Sequence, residues 1–107
     1  QGGVIALHTG LRHPRRLAGI LALSCYLPLT ETLSTEAHRA NRDVPIFMAH
    51  GHADPVIPYD LGKRSSKLLK AQDYPVQWHA YAAEHTVCME ELTDIENWLN
   101  RVLADVC

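Results

Sequence analysis

The sequence predicts an α/β domain in which three parallel strands alternate with helices. Two segments, residues 17–24 and 44–50, are short and almost continuously apolar, which is typical of strands that helices cover on both faces. Segments with helical periodicity stand before, between and after the predicted strands. Because strands that alternate with helices join through crossover connections, the sheet is expected to be parallel.

The first half of the chain contributes a helix, a strand and a short second helix. Residues 3–13 are predicted to form a helix, because apolar side chains recur there at helical spacing and Pro14 ends the run. The strand over residues 17–24 follows. Residues 34–36 (Ser-Thr-Glu) resemble a helix cap, so a short helix is predicted from there through Arg42.

The second half contributes two strands and two longer helices. After the strand over residues 44–50, the two prolines in residues 52–58 predict a loop, and residues 59–71 a helix. Residues 76–81 alternate in polarity, which indicates a strand nearer the sheet edge. Residues 89–106 form the last predicted helix, and its inward side chains are expected to be Leu92, Ile95, Leu99, Val102 and Leu103.

Composition limits the class of protein. The chain has 107 residues, 47% of them hydrophobic and 21% charged, and its formal net charge is −2. This profile predicts one globular domain over residues 1–107 and excludes a disordered acidic tail. A nucleic-acid binder would normally carry a surplus of positive charge, so no nucleic-acid partner is expected.

The cysteines and the apolar runs bear on location. Cys25, Cys88 and Cys107 are an odd number and form no C-x-x-C pair. Reduced thiols and a cytoplasmic protein are therefore predicted, rather than a disulfide framework or a zinc ribbon. No apolar run approaches the roughly 18 residues of a membrane span, so stable membrane insertion is not expected.

Two loops that follow neighbouring strands carry groups suited to catalysis. Asp54 lies in the loop after the second predicted strand, and His85 lies in the loop after the third. Catalytic groups of an open parallel sheet gather at the carboxyl ends of its strands. An aspartate that orients a histidine is the supporting half of a nucleophilic triad, in which a serine attacks the substrate.

The start of the chain fits the position of that serine. In the G-x-S-x-G turn that carries such a serine between a strand and a helix, the last two positions correspond to Gln1 and Gly2. The serine would then directly precede Gln1. The chain order of serine, acid and histidine is that of the α/β-hydrolases.

Together with further matching positions, these features form a resemblance to a known family along essentially the whole chain. The sequence resembles the C-terminal half of the bacterial carboxylesterase/phospholipase family of α/β-hydrolases, which includes the acyl-protein thioesterases and carries Gly-Phe-Ser-Gln-Gly-Gly at its serine. The matching positions are Gln1 to Gly3, Ala6, Leu7, Gly19 to Ser24, His50, Gly51, Asp54, Val56, Pro58, Tyr81, His85, Glu90, Glu91, Ile95 and Trp98. One position departs from the family: Glu84 stands where it usually has glycine.

The resemblance implies a role for five residues. Asp54 corresponds to the triad acid and His85 to the general base. The backbone N–H of Gln1 corresponds to one donor of the oxyanion hole, and Leu27 and Leu29 fall where this family lines its acyl pocket. The implied reaction needs no cofactor and no metal.

The implied activity is that of a carboxylic ester hydrolase. Its substrate would be a small ester, a lysophospholipid or an acyl-protein thioester. The chain would be a partial domain without its N-terminal half and inactive by itself. Its partner would be that half or another copy of the chain, possibly in a homodimer, because an uncovered first strand invites pairing.

Two alternatives of different classes stay open. His50, His52 and Asp54 match the beginning of the H-x-H-x-D-H zinc motif of metal-dependent hydrolases, although Pro55 stands where that motif has its last histidine. The second alternative is a catalytically inactive fragment that lacks the nucleophile. Metal analysis bears on the first alternative, and intact mass bears on the second.

Overall fold

The computed structural model describes residues 2–85 and 87–104. Three strands alternate with helices, as predicted. The elements in chain order are α1 (Gly2–Arg12), β1 (Ile20–Leu23), α2 (Thr30–Glu36), a 3-10 helix (Arg39–Asn41), β2 (Ile46–Gly51), α3 (Tyr59–Ala71), β3 (Val76–Tyr81) and α4 (Met89–Ala104).

The strands form one parallel sheet in the order β1-β2-β3. Ile46 in the central strand lies opposite Ile20 of β1 and opposite Val76 of β3. The parallel arrangement places the carboxyl ends of all three strands at one edge of the sheet. The loops that carry Asp54 and His85 both leave from this edge, which the order of the elements predicted.

Helices cover both faces of the sheet. On one face, Leu7 of α1 and Leu69 of α3 share a buried cluster with Met48 of β2. On the other face, Trp98 of α4 packs with Phe47 of β2, and their ring centroids are 5.7 Å apart. All six residues of β2 are buried because the strand lies centrally between these layers.

The inward face of α4 differs from the prediction. Ile95 and Val102 are buried as expected, together with Glu91 and Trp98. The expected inward positions that are instead exposed are Leu92 at 49%, Leu99 at 36% and Leu103 at 52%. The large indole of Trp98 anchors the helix on Phe47, and this anchor turns the neighbouring leucine stripe away from the sheet.

The short helix after β1 also differs from the prediction. It begins at Thr30, so Ser34 to Glu36 form its last turn instead of its cap. Leu29 precedes the helix with φ 49° and offers no side-chain cap. The position of α2 is set by tertiary contacts: Leu33 is fully buried, and Glu36 pairs with Arg12 of α1 at 2.8 Å.

The two described cysteines, Cys25 and Cys88, are both free thiols. Cys25 is buried beneath α1, and burial raises the pKa of its thiol to about 11, so it is protonated at neutral pH. Cys107 lies outside the described residues. Within residues 2–85 and 87–104, no helix is long and apolar enough to cross a membrane.

Candidate active site

The carboxylate of Asp54 is held by the loop that follows β2. Its Oδ1 atom accepts hydrogen bonds from the backbone N–H of Val56 at 2.8 Å and of Ile57 at 2.9 Å. This is the turn that an aspartate makes with the backbone two and three residues ahead, and Pro55 within it restricts the chain further. The side chain of Asp54 is fully buried, so its orientation is set by these bonds.

Backbone hydrogen bonds join this loop to the one that carries His85. The N–H of His52 donates to the carbonyl of Tyr81 at 2.8 Å, and the N–H of Ala53 donates to the carbonyl of Ala83 at 3.1 Å. These bonds continue the pairing of β2 with β3 past the ends of both strands. The loops of Asp54 and His85 are therefore fixed relative to each other by the main chain.

The two predicted catalytic side chains are in direct contact. The Nδ1 atom of His85 lies 2.7 Å from Oδ2 of Asp54. Since an ionised carboxylate only accepts hydrogen bonds, this contact assigns the imidazole proton to Nδ1 and leaves the lone pair on Nε2. The side chain of His85 is 38% exposed, whereas that of Asp54 is fully buried. The pair thus consists of an accessible base, His85, in contact with a buried acid, Asp54.

The surroundings of Asp54 keep it ionised. Burial raises the pKa of its carboxyl, but the hydrogen bonds from His85, Ile57 and Val56 outweigh burial and hold the pKa below its ordinary value. A lowered pKa contributes to stability above the ordinary aspartate range, and this contribution is lost as pH falls through the folded-state pKa. At neutral pH Asp54 can stabilise a protonated His85.

Gly51 permits the close approach of the two loops. A Cβ atom at this position would overlap the carbonyl oxygen atoms of Ala83 and Glu84. Both oxygens belong to the main chain of the loop that carries His85. A side chain at residue 51 therefore has to push that loop away from Asp54.

We expect Gly51→Ala to lower the free energy of unfolding by about 1–3 kcal/mol, the usual cost of forcing extra atoms into a packed region. Urea denaturation measures the change. The matched control is Gly2→Ala, since a Cβ atom there meets nothing within 4 Å. That control is expected to change stability by no more than about 1 kcal/mol. Equal effects of the two substitutions would contradict the packing role of Gly51.

The other predicted site residues lie in different surroundings. Leu27 is 4% exposed and belongs to the core beneath α1, whereas Leu29 is 62% exposed at the start of α2. Gln1 lies outside the described residues. Glu84 is exposed beside the base. The pocket roles of the two leucines and the oxyanion role of Gln1 stay predictions.

The histidines of the H-x-H-x-D segment do not converge with Asp54 as metal ligands. The Nε2 atom of His50 lies 2.7 Å from the carbonyl oxygen of Ile57, and His52 stacks on the ring of Tyr59 with centroids 4.2 Å apart. Across residues 2–85 and 87–104, no three His, Cys, Asp or Glu side chains are grouped closely enough to hold a metal ion.

Sequence reasoning missed one residue of this site. His50 is fully buried, and its Nε2 atom lies 3.4 Å from Oδ2 of Asp54. It is the last residue of the second predicted strand, and no role in positioning Asp54 was predicted for it. Two signals were available: its match to the family, and its four-residue spacing to Asp54, which was interpreted as part of a metal motif.

Comparison with known proteins finds a family that matches nearly the whole chain. A model of the phospholipase/carboxylesterase family matches residues 1–103. The chain is 43% identical to acyl-protein thioesterase 1 of Neurospora crassa, over 99% of this chain and 44% of that protein. It is 39% identical to acyl-protein thioesterase 1 of Mycosarcoma maydis, over 96% of this chain and 45% of that protein. The chain thus spans about half the length of these curated relatives.

A solved structure shows the same architecture. The crystal structure of Arabidopsis thaliana SOBER1 superposes with a TM-score of 0.89 at 28% identity, covering 95% of this chain and 49% of that one. The three parallel strands and their helices therefore occur together in a larger protein. Asp54 and His85 lie within residues 1–103, the part of the chain that the family model matches.

Proposed function

Because the chain belongs to the phospholipase/carboxylesterase family of α/β-hydrolases, we propose that it carries the acid and the base of a serine hydrolase that cleaves carboxylic esters or thioesters. The observation that carries the proposal is the 2.7 Å contact between His85 Nδ1 and Asp54 Oδ2. It joins a buried, ionised acid to an accessible imidazole, as in the supporting half of a nucleophilic triad.

The chemistry follows from the proton on Nδ1. The lone pair on Nε2 of His85 accepts the proton of the serine hydroxyl as the serine oxygen bonds to the substrate carbonyl carbon. The resulting imidazolium is stabilised by the carboxylate of Asp54, and it donates its proton to the leaving alcohol or thiol. Water then attacks the carbonyl carbon of the acyl-serine and gives a proton to His85. His85 returns this proton to the serine oxygen, and the carboxylic acid is released.

The nucleophile in this proposal is a serine directly before Gln1. The sequence contains four serines, Ser24, Ser34, Ser65 and Ser66, and none of them hydrogen-bonds to His85 among the described residues. Ser65 and Ser66 are buried on α3. A serine before Gln1 would stand immediately ahead of α1, where helix N–H groups favour the developing oxyanion. The N–H of Gln1 is the proposed donor.

The substrate class is proposed from the relatives and from the residues that follow β1. Two relatives are named acyl-protein thioesterases, so an acyl thioester is one substrate, and a carboxylic ester undergoes the same acyl transfer. We propose that Leu27 and Leu29, which follow β1 at the carboxyl edge of the sheet, line the acyl chain. A cytoplasmic location, expected from the unpaired cysteines, belongs to the same proposal.

Labelling with a fluorophosphonate tests the proposed function. The reagent bonds covalently to an activated serine, and mass spectrometry of the digest locates the label. We expect a label on the residue before Gln1 in the active protein, and no label on the chain over residues 1–107. A label on Ser24 or any other serine of this chain would contradict the proposal, as would esterase activity without any serine adduct.

We also propose that β1 pairs with a further strand. In the described sheet β1 is an edge strand, and the groove beside it contains the 63% exposed side chain of Ile5. An uncovered edge offers unpaired backbone groups to another strand. The remainder of the enzyme or a second copy of the chain fits this edge, and light scattering of the 107-residue chain distinguishes a monomer from a homodimer.

A further inference from the structure

We propose that His50 is a positioning residue that holds the carboxylate of Asp54 in the orientation required by His85. This inference rests on the proposed function and adds a residue to the same site. His50 is fully buried near the end of β2, and its Nε2 atom lies 3.4 Å from Oδ2 of Asp54. It does not contact the reacting atoms, so its effect passes through Asp54.

The hydrogen bonds of His50 define its tautomer. Its Nε2 atom lies 2.7 Å from the carbonyl oxygen of Ile57, which only accepts, so Nε2 carries a proton. The same Nε2 lies 3.4 Å from Oδ2 of Asp54. The N–H group of His50 therefore donates to the backbone of the loop, and the carboxylate of Asp54 lies beside this bond.

The other ring nitrogen of His50 is enclosed. Nδ1 is buried and has no hydrogen-bond partner among the described residues. A Cβ atom at Gly62 of α3 would lie only 2.6 Å from it, so α3 packs directly against this edge of the ring. A second proton on Nδ1 would find no acceptor there. The geometry thus assigns the neutral Nε2–H form.

Ile57 connects His50 to Asp54. Its carbonyl accepts from His50, and its N–H donates to Oδ1 of Asp54 at 2.9 Å. Ile57 is thereby bonded to β2 through its carbonyl group and to Asp54 through its N–H group. Without His50, the carbonyl of Ile57 loses its buried donor, and the loop whose N–H groups hold Oδ1 of Asp54 is anchored less firmly.

The test compares His50→Leu with His50→Gln in the active enzyme that contains this chain. The leucine removes the donor, whereas the glutamine amide can still donate to Ile57. We expect His50→Leu to lower kcat by about 10- to 100-fold with little change in KM. This range is that of residues that orient the ligands of a catalytic metal, which act on the reaction in the same indirect way. His50→Gln is expected to recover most of the loss.

The pH profile distinguishes positioning from a merely structural role. A loosened carboxylate stabilises the imidazolium of His85 less, so His50→Leu is expected to move the acidic limb of kcat/KM to lower pH. The downfield NMR signal of the His85 Nδ1 proton is expected to persist in His50→Gln and to weaken or vanish in His50→Leu. The control is His79→Leu, since His79 is half-buried on β3 and stacks on Phe47 instead.

Two results would overturn the inference. One is a folded His50→Leu variant with unchanged kcat, pH profile and His85 proton signal. If that variant does not fold, Gly62→Ala replaces it, because the added methyl group displaces the His50 ring. The second overturning result is an unchanged His85 proton signal in Gly62→Ala. Asp54→Asn is measured in parallel: full activity of that variant contradicts the proposed function itself, whereas its inactivity leaves the role of His50 to be decided separately.

Discussion

Asp54→Asn is expected to lower kcat by about 10⁴-fold in the active enzyme, the loss seen when the acid of a comparable triad becomes an amide. The asparagine keeps the size of the side chain, but its amide group can donate to His85. The imidazole then carries its proton on Nε2, where the lone pair is needed. Steady-state kinetics with a short-chain chromogenic ester measures the change, and KM is expected to stay within a few fold.

Asp43→Asn is the matched control for this prediction. The side chain of Asp43 is 77% exposed and pairs with Arg16, before the amino end of β2. An exposed pair of this kind contributes little to stability, so the control is expected to keep full activity. Wild-type kcat in a folded Asp54→Asn variant would remove Asp54 from the proposed triad.

His85→Ala is expected to abolish covalent labelling by a fluorophosphonate and to lower kcat by roughly 10⁶-fold, the loss reported for the base of a comparable triad. Without the imidazole, the serine hydroxyl has no group to accept its proton. The side chain of His85 is 38% exposed, so its removal leaves the core intact. Circular dichroism verifies the fold, and in-gel fluorescence measures the label.

His52→Ala is the control that also separates the two kinds of hydrolase. His52 is an exposed histidine on the loop of Asp54, and its ring stacks on Tyr59. A serine hydrolase keeps its activity in this variant, whereas a hydrolase that used the H-x-H-x-D segment as metal ligands would lose it. Undiminished labelling of His85→Ala would show that another group activates the serine.

The elements were predictable where a local pattern and the packing agree. Residues 59–71 and 76–81 have the bounds that the sequence predicted, since prolines and turn residues limit both segments. On α4 the pattern was ambiguous, because Leu92, Leu99 and Leu103 form a stripe beside Ile95 and Val102. Helical spacing alone does not decide which of two adjacent stripes faces a sheet, and the contact of Trp98 with Phe47 decides it here.

The site was predictable in part because topology brings particular loops together. Asp54 and His85 follow neighbouring parallel strands, so their meeting at one sheet edge follows from chain order. The place of His50 did not follow, because a histidine at the end of a strand is compatible with several surroundings. Its role depends on the path of a loop that returns Ile57 to within 2.7 Å of its ring.

The sequence by itself determined the α/β class, the order of the strands along the chain and the pair of residues proposed for catalysis. These depend on periodicity and on chain order, which are local properties of a sequence. The tertiary structure alone decided which nitrogen of His85 carries the proton, how Gly51 admits the neighbouring loop, and that His50 lies against Asp54. Each of these depends on distances of a few ångströms between segments remote in the chain, which packing sets and no local pattern encodes.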